Sequence, residues 1–227
     1  MGETAVKYKC LILDHDDTAV DSTASIHYPA HLEMMRRLRP GEPHIDLETW
    51  FRKNFDPGIM GYLKDEIGLS LEEMDIEYRI WQEFNENRNP PFYEGLPRLL
   101  EDFIQSGGIL AVVSHSMDKH IQRHYRAGAP GVTPHYIFGW TDDENFRKPS
   151  PWPVYQILKG TGLAPEEVLV VDDLKPGVEM AHAAGVPVAA AGWGHKVPEI
   201  QQQMSRLCHY WLKDIDALRN LLLNGRG

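Results

Sequence analysis

Short apolar runs alternating with stretches of helical period constrain this chain more than any other feature. The runs are Cys10-Leu11-Ile12-Leu13, Ile109-Leu110-Ala111-Val112-Val113, Tyr136-Ile137-Phe138, Val168-Leu169-Val170-Val171 and Val186-Pro187-Val188-Ala189-Ala190-Ala191. A last short one covers Cys208-His209-Tyr210-Trp211. Such runs read as buried parallel strands, since a strand covered on both faces has no polar side to show. Helical patterns fill the intervals at Leu96–Gln105, Met117–Arg126, Pro151–Leu158, Pro176–Ala184 and Asp214–Leu223. The alternation predicts an α/β fold, a doubly wound Rossmann-like parallel sheet with helices on both faces.

One stretch departs from this rhythm. Between about Ser22 and Tyr93 the chain is rich in Met, Arg, Glu, Trp and Tyr, with helical period and no strand run. Ser70 and Glu73 form a capping box for a helix that runs to about Glu86, with Met74, Tyr78 and Trp81 on one face. That stripe reads as helix packing. The expected organisation is a core of residues 1–20 and 94–227 interrupted by a helical domain over 21–93.

Polar residues of a consistent kind sit at the strand ends. Asp14-His15-Asp16-Asp17-Thr18 follows the first run. In open α/β sheets ligands bind beyond the carboxyl ends of the strands, and side chains alternate along a strand, so Asp14 and Asp16 face one crevice. Two carboxylates that close repel unless a cation lies between them or one keeps its proton. The alternative is a solvated acidic turn. Ser114 follows the second run, Lys148 precedes a later helix in Arg147-Lys148-Pro149, and Asp172-Asp173 end the Val168 run. Singly these read as a helix cap, a loop and a turn. Together they converge on one sheet edge.

Composition excludes several functions. A formal net charge of −10 with no basic stripe argues against a general nucleic-acid or anionic-membrane binder. No apolar stretch approaches the roughly 18 residues that span a bilayer. Met1-Gly2-Glu3-Thr4 lacks a secretory pattern, and Val6 spoils Gly2 as an acylation site. Cys10 and Cys208 read as buried thiols in a reducing compartment rather than as a disulfide, so a cytoplasmic location is expected. Neither nucleic acid nor membrane is an expected partner. Oligomeric state is not legible.

The strand-end set resembles the haloacid dehalogenase superfamily of aspartate-nucleophile hydrolases over nearly the whole chain. Its Asp-x-Asp-x-Thr motif is matched by Asp14-His15-Asp16-Asp17-Thr18, its strand ending in Ser or Thr by Ser114, its Lys by Lys148, and its acidic pair with Ala-Ala-Gly helix by Val171 to Gly185. The 21–93 segment resembles the family's helical cap of the first type, with Tyr93-Glu94-Gly95-Leu96 as the return to the core. The resemblance implies a phosphatase whose partner is a small phosphorylated metabolite, with Asp14 as the nucleophile and Asp16 as the general acid and base. It implies Mg²⁺ held by Asp14, the main-chain carbonyl of Asp16, and Asp173. Ser114, Lys148 and His115 would bind phosphate, with Asp172, Asp17 and Thr18 in support. Asp17 stands where the family usually has Gly, a position that strains most side chains if φ is positive. His15 is expected to turn away from the crevice.

A sugar phosphomutase of the same superfamily is the main competing activity. A phospho-acceptor signalling domain is remote, because receiver domains are about half this length and place their acidic pair first. A dehalogenase would not need Asp16. Sugar phosphates, phosphoglycolate and nucleotides all stay open as substrates. Arg36, Arg37, Arg52, Lys53 and Arg79 read as solvated helix charges, while His27, Tyr28 and Trp50 are undecided between packing and specificity.

Overall fold

The computed structural model describes residues 8–86 and 88–224, so the Met1–Thr4 and Val6 readings lie outside the described residues. Six parallel strands form one sheet: β1 (Cys10–Leu13), β2 (Ile109–Val113), β3 (Tyr136–Phe138), β4 (Val168–Asp172), β5 (Val188–Ala191) and β6 (Tyr210–Leu212), in the order β3-β2-β1-β4-β5-β6. The strand order reverses at β1, where Leu13 is level with Val112 on one side and Val171 on the other. Asp14, Ser114 and Asp172 therefore emerge together beside the switch point, where such sheets bind ligands.

Period-two alternation splits the core cleanly. Leu11 and Leu13 point to one layer with Leu110, Val112, Leu169 and Val171, covered by the helices α5 (Leu96–Gln105), α6 (Asp118–Gly128) and α10 (Ile215–Leu223). Cys10 and Ile12 point to the other with Ala111, Val113, Val168 and Val170, under α7 (Trp152–Thr161), α8 (Lys175–Ala184) and α9 (Pro198–Leu207). Each fully buried Leu, Ile or Val contributes about 1.5–3 kcal/mol. Both cysteines are free thiols, Cys10 buried as expected but Cys208 only half-buried, because it sits at the end of α9 rather than inside a strand.

Two expected strands begin later than the apolar runs suggest. The Val186 run becomes β5 only at Val188, because Gly185 ends α8 at φ 71° and Pro187 has no N–H to donate. The Cys208 run starts at Tyr210, since the Cys208 N–H still bonds back to Met204 at the end of α9.

Between β1 and α5 lie the helices α1 (Tyr28–Leu38), α2 (Leu47–Phe55), the short α3 (Ile59–Gly61) and α4 (Leu71–Glu86). They close on their own apolar cluster of Met34, Met35, Trp50, Tyr62, Leu63 and Ile80. The capping box forms as read, with Ser70 N–H donating to Glu73 Oε2 at 2.9 Å and Glu73 N–H to Ser70 Oγ at 3.2 Å. Apolar period does not reveal the wide π-turns at Thr23–His27 and Tyr62–Glu66. At the first, the Ser22 carbonyl accepts from both Ile26 and His27, and such turns gather at functional sites. The insert leaves and rejoins the core through adjacent segments, Val20 bridging both Asp16 and Phe92. Among the described residues, no helix is long and apolar enough to cross a membrane.

Candidate active site

Asp14 is still held by β4, its N–H donating to the Val171 carbonyl at 2.9 Å. Its side chain meets Lys148, whose Nζ donates to Asp14 Oδ1 and to Asp172 Oδ2, both at 2.7 Å. Lys148 is only 6% exposed. Burial alone would depress its pKa, but the two carboxylates outweigh that and raise it above the ordinary lysine value. Lys148 is therefore a fixed ammonium.

Asp14, Asp172 and Asp173 each bring a carboxylate oxygen within 4.8 Å of the others, and all three are buried. One ammonium faces three acids. Burial pushes Asp14 upward to about 8, with Lys148 opposing and Asp172 and Asp16 reinforcing. Asp173 is raised well above the carboxylate range, by burial first and then by Asp14 and Asp172. This excess of buried negative charge suits a hard divalent cation, which takes oxygen ligands. Within the trio, Asp172 has both oxygens engaged, Oδ2 by Lys148 and Oδ1 by the Leu174 N–H at 2.9 Å. Asp173 accepts from Thr18 Oγ1 at 3.2 Å, and Asp14 keeps Oδ2 clear of Lys148.

The Asp172 carboxylate is also fixed by α8. A Cβ on Gly177 would run into it, so Gly177→Ala is expected to lower the thermal midpoint through overpacking of about 1–3 kcal/mol. A melt indistinguishable from wild type would show that the carboxylate is free to move.

Asp16 stands apart from the trio, its carboxylate collecting donors from two bodies. Ser22 Oγ at 2.7 Å and His27 Nε2 at 3.1 Å reach Oδ1 from the insert. Ser116 Oγ at 2.6 Å and, more weakly, Ser114 Oγ at 3.4 Å reach Oδ2 from the loop after β2. Burial works to raise the Asp16 pKa, but His27, His15 and Ser116 outweigh it and hold it well below the usual range. Trp81 Nε1 donates to His27 Nδ1 at 2.9 Å. An indole N–H only donates, so it fixes the His27 tautomer that carries its proton on Nε2, facing Asp16. Trp81, on the stripe read as packing, thus also orients a group at the site.

The remaining positions sort as follows. His115 donates from Nε2 to the Lys148 carbonyl at 2.9 Å, which fixes the lysine's loop; burial lowers its pKa to about 4. Its side chain braces Lys148 and does not join the carboxylates. His15 turns into the core, 2.9 Å from His124 Nδ1. Asp17 adopts φ 55°, and its Oδ1 accepts from the Thr23 N–H at 3.1 Å, tying the start of the insert to the loop after β1. That bond offsets the backbone strain a side chain bears there. Ser22 and Ser116 escaped sequence reading. Ser116 had one legible cue: it lies two residues after Ser114, so strand-like alternation turns both to one side.

Comparison with known proteins identifies the family and the fold. Residues 11–191 match the family described as haloacid dehalogenase-like hydrolase. A phosphoglycolate phosphatase of Pasteurella multocida (strain Pm70) is 27% identical over 198 residues, covering 83% of this chain and 88% of that protein. A haloacid dehalogenase-like family hydrolase of Streptococcus pneumoniae superposes with a TM-score of 0.73 at 19% identity, covering 93% of this chain and 97% of its own. A HAD-superfamily hydrolase of subfamily IA from Geobacter sulfurreducens gives a TM-score of 0.67 at 19% identity, covering 98% and 100%. At that identity the two structures speak for the fold, and the sequence match speaks for the family. The chain belongs to the haloacid dehalogenase-like hydrolases and is a hydrolase enzyme.

Proposed function

We propose that this enzyme is a Mg²⁺-dependent phosphatase of small organic phosphate monoesters, acting through an aspartyl phosphate. The observation that carries the reading is Lys148 clamped between Asp14 and Asp172 with Asp173 beside them. Curated relatives named as phosphoglycolate phosphatases support the reaction class, and they favour phosphatase over mutase.

In this reading Asp14 attacks phosphorus and forms an acyl phosphate, while the bond from phosphorus to the leaving oxygen breaks. Splitting the transfer in this way turns one hard step into two easier ones. Asp16 gives its proton to the leaving alkoxide and then takes one from the attacking water, whose oxygen displaces the Asp14 carboxylate and frees phosphate. Its hydrogen-bonded carboxylate in this structure corresponds to the base half of that cycle. Lys148 and Ser114 stabilise the phosphate oxygens, with His115 setting the position of Lys148. Mg²⁺, when bound by Asp14, Asp173 and the Asp16 carbonyl, would neutralise phosphate charge and keep Asp14 ionised. The helical segment over 21–93 acts as the cap that excludes bulk water. The free thiols suit a cytoplasmic location.

The test is phosphate release from phenyl phosphate with Mg²⁺ or with a chelator. Turnover is expected only with the metal, together with a rise in thermal midpoint on adding Mg²⁺, because an ion that binds only the folded state stabilises it. Turnover undiminished in chelator, or no release from any phosphate ester, would sink the reading.

A further inference from the structure

The Asp16 carboxylate is approached by hydrogen-bond partners of two kinds. Ser22, Ser114 and Ser116 reach it through hydroxyls, which rotate and can donate or accept. His27 reaches Oδ1 through a ring nitrogen, and an imidazole nitrogen donates or accepts according to its tautomer. Trp81 settles which. Its Nε1 lies 2.9 Å from His27 Nδ1 and can only donate, so Nδ1 keeps its lone pair and the proton of the neutral ring stays on Nε2. Oδ1 of Asp16 therefore faces a group that gives a hydrogen bond and cannot take one.

The indole is itself held in place from both bodies. It lies nearly parallel to the His27 ring, 9° between planes with centroids 6.2 Å apart, and stacks on Tyr78 of its own helix at 6.0 Å. From the core, His120 on α6 meets it at 85°, 5.9 Å between centroids. Packing of this kind asks for an aromatic ring, which Phe would supply. It does not ask for an N–H aimed at the one ring whose other nitrogen touches Asp16.

We propose that Trp81 is a positioning residue for the general acid: acting through His27, it confines the proton that Asp16 delivers to Oδ2. The inference rests on the phosphatase reading above. A carboxyl oxygen that must accept from His27 is the poorer place for a proton, whereas the serine hydroxyls at Oδ2 can turn and accept one. Oδ2 lies on the side of Ser114, which binds phosphate in that reading, while Oδ1 faces the insert. From Oδ2 the proton passes to the leaving oxygen as its bond to phosphorus breaks and leaves the electron pair on that oxygen. Removal of the indole N–H opens the second tautomer. His27 then carries its proton on Nδ1 and offers Nε2 as an acceptor, so protonated Asp16 donates to it from Oδ1 and the proton is held away from the leaving group.

The experiment compares kcat/KM for phenyl phosphate and p-nitrophenyl phosphate in the Mg²⁺-loaded enzyme. This constant reports the steps up to transfer onto Asp14, and the two esters differ chiefly in how much the leaving oxygen needs a proton. Trp81→Phe is expected to lower it about tenfold for phenyl phosphate, the scale of one misdirected hydrogen bond to a charged group. For p-nitrophenyl phosphate, whose phenolate departs without a proton, the loss should stay below about twofold. The benzothiophene analogue of tryptophan at position 81, which keeps the fused ring and lacks the N–H, should reproduce the split without a packing defect. In a His27→Phe background Trp81→Phe should add nothing, since both residues act through one contact. Ring-nitrogen NMR shifts of wild type should show His27 protonated on Nε2 alone. Equal losses for the two esters in folded variants, a Trp81 effect that persists without His27, or a wild-type ring protonated on Nδ1 would each overturn the positioning role and leave the phosphatase reading intact. Hydrolysis of neither ester by wild type would overturn that reading itself.

Discussion

Replacing Asp14 by Asn is expected to reduce turnover of phenyl phosphate by about four orders of magnitude or more, the scale on which loss of a covalent nucleophile acts. The fold should stand. Asn is nearly isosteric, still accepts from Lys148 through its amide oxygen, and removes one of three crowded buried carboxylates. Burial already penalises the Asp14 charge, so the thermal midpoint in chelator should hold or rise. Rate and stability therefore move in different directions. A variant that folds and turns over at the wild-type rate would remove Asp14 from the nucleophile role, whatever the fate of the metal.

The second large effect belongs to Lys148→Met, and it should strike stability as well as rate. Lys148 satisfies two buried carboxylates at 2.7 Å each. Removing one partner of a buried ion pair costs about 3–5 kcal/mol, because the remaining charge has neither solvent nor counterion. At this chain length that corresponds to a fall of about 6–20 °C in thermal midpoint. Measured in chelator the full deficit should appear; with Mg²⁺ it should narrow, since a divalent cation replaces part of the lost positive charge. A melt unchanged in chelator would mean that Asp14 and Asp172 do not depend on this ammonium.

The two variants rest on parts of the molecule that differ in how openly the sequence declares them. Core strands are legible because burial on both faces requires an unbroken apolar run: Cys10–Leu13, Ile109–Val113 and Tyr136–Phe138 form within the limits their residues set. The edge of Asp14, Ser114, Lys148 and Asp172 follows from topology, since parallel strands deliver their carboxyl ends to the same side. The environment of Asp16 does not follow. Ser22 and His27 reach it from the two ends of a π-turn ahead of α1, and Trp81 reaches His27 from 54 positions away. Periodicity records which face of a helix is apolar, not which of its polar atoms will find a partner on another element. The same limit hides the bond from His115 Nε2 to the Lys148 carbonyl, 33 residues on.

The two chain crossings at Val20 and Phe92 lie side by side, joined by an isolated bridge, with the Asp21 N–H donating to the Pro91 carbonyl at 2.9 Å. A module attached through so narrow a neck can be exchanged without disturbing the strands, since insertions are tolerated where chain ends lie close together. Exchange at this neck would still carry one condition: a replacement set of helices would have to bring its own donors to Asp16 in place of Ser22 and His27.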